Sequence, residues 1–387
     1  MKRIVSICLL FAATAIILPA QIFTTLSSFD GTDGEFPSAA LIQATDGNLY
    51  GTTFSGGSGG FGTIVKVTPT GAMATLYSFA GTDGSNPSAA LVQAPSGEFY
   101  GTTQSGGVFC GGLGCGTVFK ISPSGALTTI FRFCSSSATC TGGANPAAAL
   151  VLGADGDFYG TTAYGGAGGY GTVFKITPSG VLSTILSFDS EDGEFPYGNL
   201  VQAANGDFYG TTEQGGAHGY GTIFKITPSG AVTTRFSFDN VHGANPYAGL
   251  VLATNGDLYG TADRGGAKGD GTIFKITADG ILTTLHSFAG TDGVSPYAGL
   301  VQGADGHFYG TTQSGGANNG GTVFKITPNG TLTTLYSLCS ETSCTDGSGS
   351  VAGLVQAGNG LLYGVAQYGG TSLNCPPARC GTVFSLQ

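Results

Sequence analysis

A tyrosine-glycine step recurs seven times in this chain of 387 residues, at Tyr50, Tyr100, Tyr159, Tyr209, Tyr259, Tyr309 and Tyr363, spaced by 50, 59, 50, 50, 50 and 54 residues. A repeat of this period confines a chain to an array in which each unit buries its apolar face against the next. Each copy holds four runs rich in β-branched or aromatic residues, as in GNLVQA, DFYGTT, GTIFKIT and AVTTRFSF of the fourth copy. Bounded by turn residues, such runs read as strands, here labelled a to d. Elements such as Asp46-Gly47 and Asn205-Gly206 join a to b, and Pro178-Ser179-Gly180 and its counterparts join c to d. Both dictate tight hairpins. No segment spaces its apolar residues for three helical turns. The expectation is an all-β, seven-bladed β-propeller of four-stranded antiparallel blades.

The two ends of the sequence complete each other. IFTTLSSF at residues 22–29 has the d pattern of Leu282 to Phe288, whereas the sequence stops at GTVFSLQ, a c strand. Seven of each strand type result only when the N-terminal d strand completes the last blade, which closes the ring and removes two open edges. One domain over residues 22–387 is expected, preceded by a signal peptide at 1–20. Lys2 and Arg3, the apolar run Ile4 to Leu18 and Pro19-Ala20 supply the signal pattern. That run is short for a membrane span, though an uncleaved anchor is the alternative.

With 41% hydrophobic residues a large core is available, while only 9% are charged and the net charge is −10. This argues against a phosphate-tracking surface, so nucleic acid is excluded as a partner. The mature chain is expected to lack a membrane span, to be secreted, extracellular or periplasmic, and to be monomeric.

The recurring YGTT, GG, GT(V/I)FK(I/V)T and P(S/N)G elements resemble the Gloeo/Verruco tandem repeat, a family of exported bacterial repeat proteins with varied anchoring tails. The resemblance covers nearly all of residues 22–387 and implies a secreted or surface repeat protein of unassigned activity. Some members carry a C-terminal sorting segment, whereas here the sequence ends at Gln387, inside its last strand.

Strand parity places the a–b and c–d turns on one face of the propeller, and the longer b–c and d–a loops on the other, where function is usually found. Eight cysteines follow the apolar leader, as Cys110 and Cys115, Cys134 and Cys140, Cys339 and Cys344, and Cys375 and Cys380. Each pair falls within one long loop, and close spacing on an exported chain favours four local bridges over the other pairings. The glycine-rich b–c loops precede no helix, so they offer no dipole for phosphate. Gly56-Gly57-Ser58-Gly59-Gly60 matches a nucleophile elbow only in form.

Lys66, Lys120, Lys175, Lys225, Lys275 and Lys325 share one c-strand position, expected opposite Asn48, Glu98, Asp157, Asp207, Asp257 and His307 on strand b as a structural cross-strand pair. Carboxylates of the d–a loops, with Asp30, Asp33, Asp189 and Asp192 foremost, are candidates for calcium, which favours oxygen ligands in flexible loops. Their spacing lacks the full calcium-loop series, and Asx-Gly pairs also make turns without metal. No other cofactor is expected.

Differences between copies point to a site. Tyr197, Tyr247 and Tyr297 begin strand a only in copies four to six, and the position after YGTT holds Glu213 and Asp263, with Arg264 next. If strand a lines the axis, these six residues gather in one sector of a central funnel, where tyrosines among polar groups suit a sugar or peptide. The alternative is ordinary packing. The leading functional reading is a binding or scaffold module for an extracellular glycan or protein, although the absence of tryptophan weakens sugar stacking. The others are a hydrolase or lyase with Glu213 and Asp263 as acid and base, and a structural envelope or matrix component.

Overall fold

The computed structural model describes residues 21–107, 115–134, 140–375 and 380–387. Its strands form seven four-stranded sheets, six of which run a, b, c, d in chain order. In the fourth blade these are Val201–Gln202, Phe208–Thr212, Thr222–Ile226 and Val232–Ser237. The seventh sheet takes Val355–Gln356, Leu362–Ala366 and Thr382–Leu386 from the C-terminal end and Phe23–Ser28 from the N-terminal end. Phe23 faces Leu386, Ser28 faces Thr382, and the Gln387 amide donates to the Ile22 carbonyl. The ring is therefore closed by strand pairing. The one helical element among the described residues is a 3-10 turn at Thr342–Cys344.

Each letter of the YGTT signature has a separate physical task. The tyrosine is buried and packs on the aromatic residue that opens strand b of the next blade, as Tyr159 does on Phe208 with ring centres 4.2 Å apart. Glycine leaves room for a c-strand phenylalanine, since a Cβ at Gly210 would stand 2.6 Å from Phe224 Cζ. The first threonine reaches the next blade, with Thr211 Oγ1 donating to the Ala248 carbonyl at 2.8 Å. The second meets the threonine that opens strand c, Thr212 Oγ1 to Thr222 Oγ1 at 2.9 Å, and Thr222 Oγ1 also donates to the Asp192 carbonyl of the d–a loop. Buried hydroxyls thus satisfy loop carbonyls that water cannot reach.

Neighbouring blades are also stitched at strand a. Gln93 Oε1 accepts from the Thr45 amide of the preceding blade, and Gln202, Gln302 and Gln356 repeat the contact with Ala154, Thr254 and Ala304. Across the ring junction, Gln43 accepts from the Gly358 amide. The repeated valine-glutamine of strand a is an inter-blade clasp.

The lysine position is corrected by the register. Lys66 and Lys175 stand directly across from Tyr50 and Tyr159, and not from the acidic position two residues earlier. The ammonium groups reach diagonally: Lys225 to Asp207 and Lys175 to both Asp155 and Asp157 at 2.8 Å, and Lys66 to Asp46 at 2.9 Å in place of Asn48. A tyrosine has to occupy the facing position because it fills the blade interface, which pushes the acid into the turn.

Among the described residues three local disulfides are formed, Cys134–Cys140, Cys339–Cys344 and Cys375–Cys380. Cys110 lies outside the described residues, and with it the pairing expected for Cys115; the leader at 1–20 lies outside them as well. Bridges spanning five or six residues close loops worth only ~2 kcal/mol each. Reduction is expected to raise amide exchange and proteolysis in these loops while lowering the melting temperature by only a few degrees. Cooperative collapse of the blades on reduction would contradict that division.

Candidate binding site at the propeller mouth

The chain enters strand a through a fixed kink. In blades four to six the residue before the proline, Phe195, Asn245 or Ser295, has a left-handed backbone with φ of 57°, 54° and 55°. Such angles are uncommon for residues with a side chain and persist where surrounding contacts impose them. Here the contacts are a pair of backbone hydrogen bonds. The Asn245 amide donates to the Tyr220 carbonyl of blade four, and its carbonyl accepts from the Asp263 amide of blade five. Asn245 Nδ2 also donates to the Glu213 carbonyl at 3.2 Å. Two residues later the chain releases Tyr247 at the axis, so Tyr247 belongs beside Glu213, and by the same geometry Tyr297 belongs beside Asp263.

Tyr197, Tyr247 and Tyr297 edge a cavity of about 510 Å³ that all seven blades help to line. Their rings form a run, Tyr197 stacked on Tyr247 at 4.5 Å and 11°, and Tyr247 on Tyr297 at 4.0 Å and 34°. The Tyr164 and Tyr197 hydroxyls meet at 3.0 Å. Across the mouth the same positions hold Ser38, Ser88 and Ala147, and there Phe54, Gln104 and Gln367 come to the surface of the cavity. The mouth is therefore asymmetric, with a stacked run of tyrosines facing a wall of small and amide side chains and one phenylalanine.

Glu213 and Asp263 do not line the cavity, whereas Phe54, Gln104, Gln313 and Gln367 at the same position of blades without a following tyrosine do. Burial raises the Glu213 carboxyl above its ordinary value, helped by the neighbouring Asp263 charge. Burial also raises the Tyr197 and Tyr247 hydroxyls, and takes Tyr297 up to about 12, with Glu213 or Asp263 adding to each. Asp263 is 8% exposed; its Oδ2 accepts from Arg264 Nε at 3.3 Å, while Oδ1 is buried without a hydrogen-bond partner. Arg264 itself is 73% exposed on its side chain and stands outside the cavity lining. Five of the six residues selected from the sequence are thus brought together, and Arg264 sits at their edge. Sequence reasoning missed Phe195, whose ring supports Tyr164 at 5.3 Å. Its place before proline in only some copies was the available signal.

The glycine pair of the b–c loop serves packing. A Cβ on Gly215 would press on the Glu194 amide at 2.9 Å, and one on Gly216 on Thr222 Cγ2 at 2.6 Å, so the loop lies flat on its neighbour. The d–a aspartates are spent on their own loop. Asp30 Oδ1 accepts from the Thr32 and Asp33 amides while Asp33 accepts from the Asp30 amide, and Asp189 with Asp192 repeats the exchange. Among the described residues no group of three or more His, Cys, Asp or Glu is placed to hold a metal ion.

Two of these aspartates carry a pH signature. Asp292 and Asp346 are met by d-strand partners, His286 at 2.8 Å and Tyr336 at 2.9 Å. The corresponding partner of Asp192 is Leu186, and that of Asp33 is Ser27, whose hydroxyl is given to the Gly71 carbonyl. Burial therefore raises Asp33 and Asp192 to about 6. A folded pKa above the unfolded one means that ionisation destabilises the native state, a cost that grows as pH rises from about 4 to 6. Asp33→Asn and Asp192→Asn keep the acceptor and remove the charge. They are expected to raise the melting temperature at pH 8 and to lose that advantage near pH 4, as read by thermal melts across pH; an advantage independent of pH would refute the assignment.

Seven four-stranded sheets around a concave axial mouth define a seven-bladed β-propeller. More particularly, the chain belongs to the Gloeobacter/Verrucomicrobia repeat family, which matches residues 14–204, 111–253 and 196–387. No curated protein matches it in sequence. Among solved structures it is similar to a streptogramin B lyase, with 15% identity and a TM-score of 0.63 over 95% of this chain and 97% of that one. The virginiamycin B lyase of Staphylococcus aureus gives 14% and 0.60 over 95% and 98%. The extracellular domain of a two-component system from B. thetaiotaomicron gives 9% and 0.62 over 95% of this chain and 39% of that chain. At these identities the likeness is one of fold.

Proposed function

We propose that this protein is an exported binding module that takes a segment of an extracellular glycan or protein into its tyrosine-edged mouth. The observation that carries the reading is the stacked run Tyr197, Tyr247 and Tyr297, half-buried on one wall of an open cavity and present in three consecutive blades only. Rigid aromatic side chains beside a concavity are the usual energetic anchors of recognition. Blade packing alone does not require them, since the other four blades close the ring with serine, alanine or valine at the same place. Export fits the leader pattern and the local disulfides. The positions of Glu213 and Asp263 outside the cavity lining favour binding over hydrolysis or elimination.

A panel of immobilised oligosaccharides and peptides, probed with the purified mature chain, tests this reading. Tyr247→Ala is expected to weaken a captured ligand at least tenfold, whereas Ser179→Ala and Ser229→Ala on the opposite face leave it unchanged. A ligand whose binding is indifferent to Tyr247 and Tyr297 would place the function elsewhere.

A further inference from the structure

The charge of the propeller is segregated between its two faces. Of the 23 acidic residues, eight lie in or beside the tight a–b and c–d turns, where seven basic residues accompany them. The other fifteen lie on the long-loop face. Among the described residues only Arg132, Arg264 and Lys268 offset them there. Nearly the whole net negative charge thus stands on the face that carries the mouth, part of it over the outer strands, where Tyr77, His286 and Tyr336 of strand d meet Asp83, Asp292 and Asp346, and a concave, low-dielectric opening concentrates such a field.

Two acidic residues stand beside the aromatic wall, since Asn245, two residues before Tyr247, donates through its side chain to the Glu213 carbonyl and accepts through its own carbonyl from the Asp263 amide. Glu213 acts on Tyr197, Tyr247 and Tyr297, and Asp263 on Tyr297, close enough to move their hydroxyl ionisation. The Asp263 side chain is 11% exposed, and its Oδ1 is buried without a hydrogen-bond partner. A buried carboxylate oxygen left unpaired is costly unless a positive charge is brought near it. Arg264 supplies that charge incompletely, through a single 3.3 Å contact to the other oxygen from a largely exposed side chain. Stacking leaves Tyr247 no open face, so a cation meets the outer faces of the run, on Tyr197 and Tyr297; there it is attracted by the ring itself, and a nearby carboxylate strengthens the attraction without touching it. The opposite wall, Ser38, Ser88, Phe54, Gln104 and Gln367, is uncharged and brings no cation to balance an anion.

Building on the binding role proposed above, we infer that the mouth selects a cationic nitrogen, an ammonium or guanidinium group carried by the ligand, with the outer ring faces of the tyrosine run, on Tyr197 and Tyr297, as its seat and Glu213 and Asp263 as its counter-charges. The shared chemistry is that of a lysine or arginine side chain of a peptide, or of a small free amine.

Titration of the mature chain with the peptide Gly-Gly-Lys-Gly-Gly, its acetyl-lysine counterpart and n-butylammonium separates the possibilities. Because the chain has no tryptophan, intrinsic emission reports tyrosine, and calorimetry gives an independent affinity. The lysine peptide is expected to bind at least tenfold tighter than the acetylated one, with the preference falling as salt rises. Glu213→Gln and Asp263→Asn should each reduce that preference severalfold, by weakening the lysine peptide far more than the acetylated one. If one variant fails to fold, the other carries the same test, and matching melting temperatures establish which. Equal affinity of n-butylammonium and the lysine peptide would assign the specificity to the amine alone; tighter peptide binding would assign it to a basic side chain in a chain context. Equal binding of the charged and acetylated peptides overturns the inference, as does binding of none of the three probes. If a neutral glycan or peptide nevertheless binds and is lost in Tyr247→Ala, the binding role stands and only the cation selectivity falls. If Tyr247→Ala alters the binding of no ligand, both readings fall together.

Discussion

Deleting residues 22–29 is expected to give a chain that melts far below the full propeller, binds hydrophobic dyes and aggregates on concentration. The segment supplies the outer strand of the last blade, pairing from Phe23 against Leu386 to Ser28 against Thr382. It also carries Phe29, which is 1% exposed and packs with Tyr363, Val383 and the cysteines of the last b–c loop. Phe23 stacks on Tyr336 of the sixth blade at 3.8 Å, so the strand joins two blades as well as completing one. Truncating a buried phenylalanine alone costs about 3–5 kcal/mol. Removing the strand adds the loss of its pairing and leaves the edge of strand c open to other chains. Phe29→Ala is the milder variant and should show a loss of that size in urea melts without aggregation. A deletion that stays monomeric with an unchanged melting temperature would mean that the ring does not depend on this strand.

The architecture was legible because each repeat states its strands and turns in local terms. Asx-Gly and Pro-Ser-Gly specify hairpins by backbone geometry, β-branched runs specify strands, and the permuted d strand specified closure. Side-chain partners were less legible where a third residue intervenes. The lysines were expected across from an acid, but the facing position is held by a tyrosine that the next blade requires, so the ion pair moves diagonally into the turn. The site was legible only as a cluster. Their place after the YGTT element, with strand a at the axis, pointed Glu213 and Asp263 towards the funnel, yet whether they reach the cavity is decided by the adjoining blade, which sets a tyrosine beside each of them. Phe54 and Gln104, at the same ring position but beside Ser88 and Ala147, do reach it. Local sequence cannot report that comparison, because the deciding residue lies more than thirty positions away in the next repeat.

The glycine of the tyrosine-glycine step offers a sharper test of how the repeat is packed. At Gly210 an added methyl group would stand 2.6 Å from Phe224 Cζ and 2.9 Å from Leu200 Cδ2, and Gly160, Gly260 and Gly310 meet their own phenylalanines in the same way. The first blade differs, with Val65 in place of that phenylalanine, so Gly51 faces only the end of the Leu41 side chain at 2.6 Å. Gly210→Ala is therefore expected to destabilise by about 1–3 kcal/mol, the usual cost of overfilling a packed core. Gly51→Ala should cost distinctly less, since Leu41 can turn its terminal methyl aside and alanine has less backbone entropy to lose than glycine. The decisive measurement is a double-mutant cycle. Phe224→Val recreates the first blade's arrangement in the fourth, and although it opens space and is destabilising alone, Gly210→Ala should then be nearly neutral. A coupling of 1 kcal/mol or more in urea melts is the expected result. Strict additivity, or a Gly51→Ala penalty equal to that of Gly210→Ala, would mean that the glycine is kept for its backbone and not for the ring that lies across it.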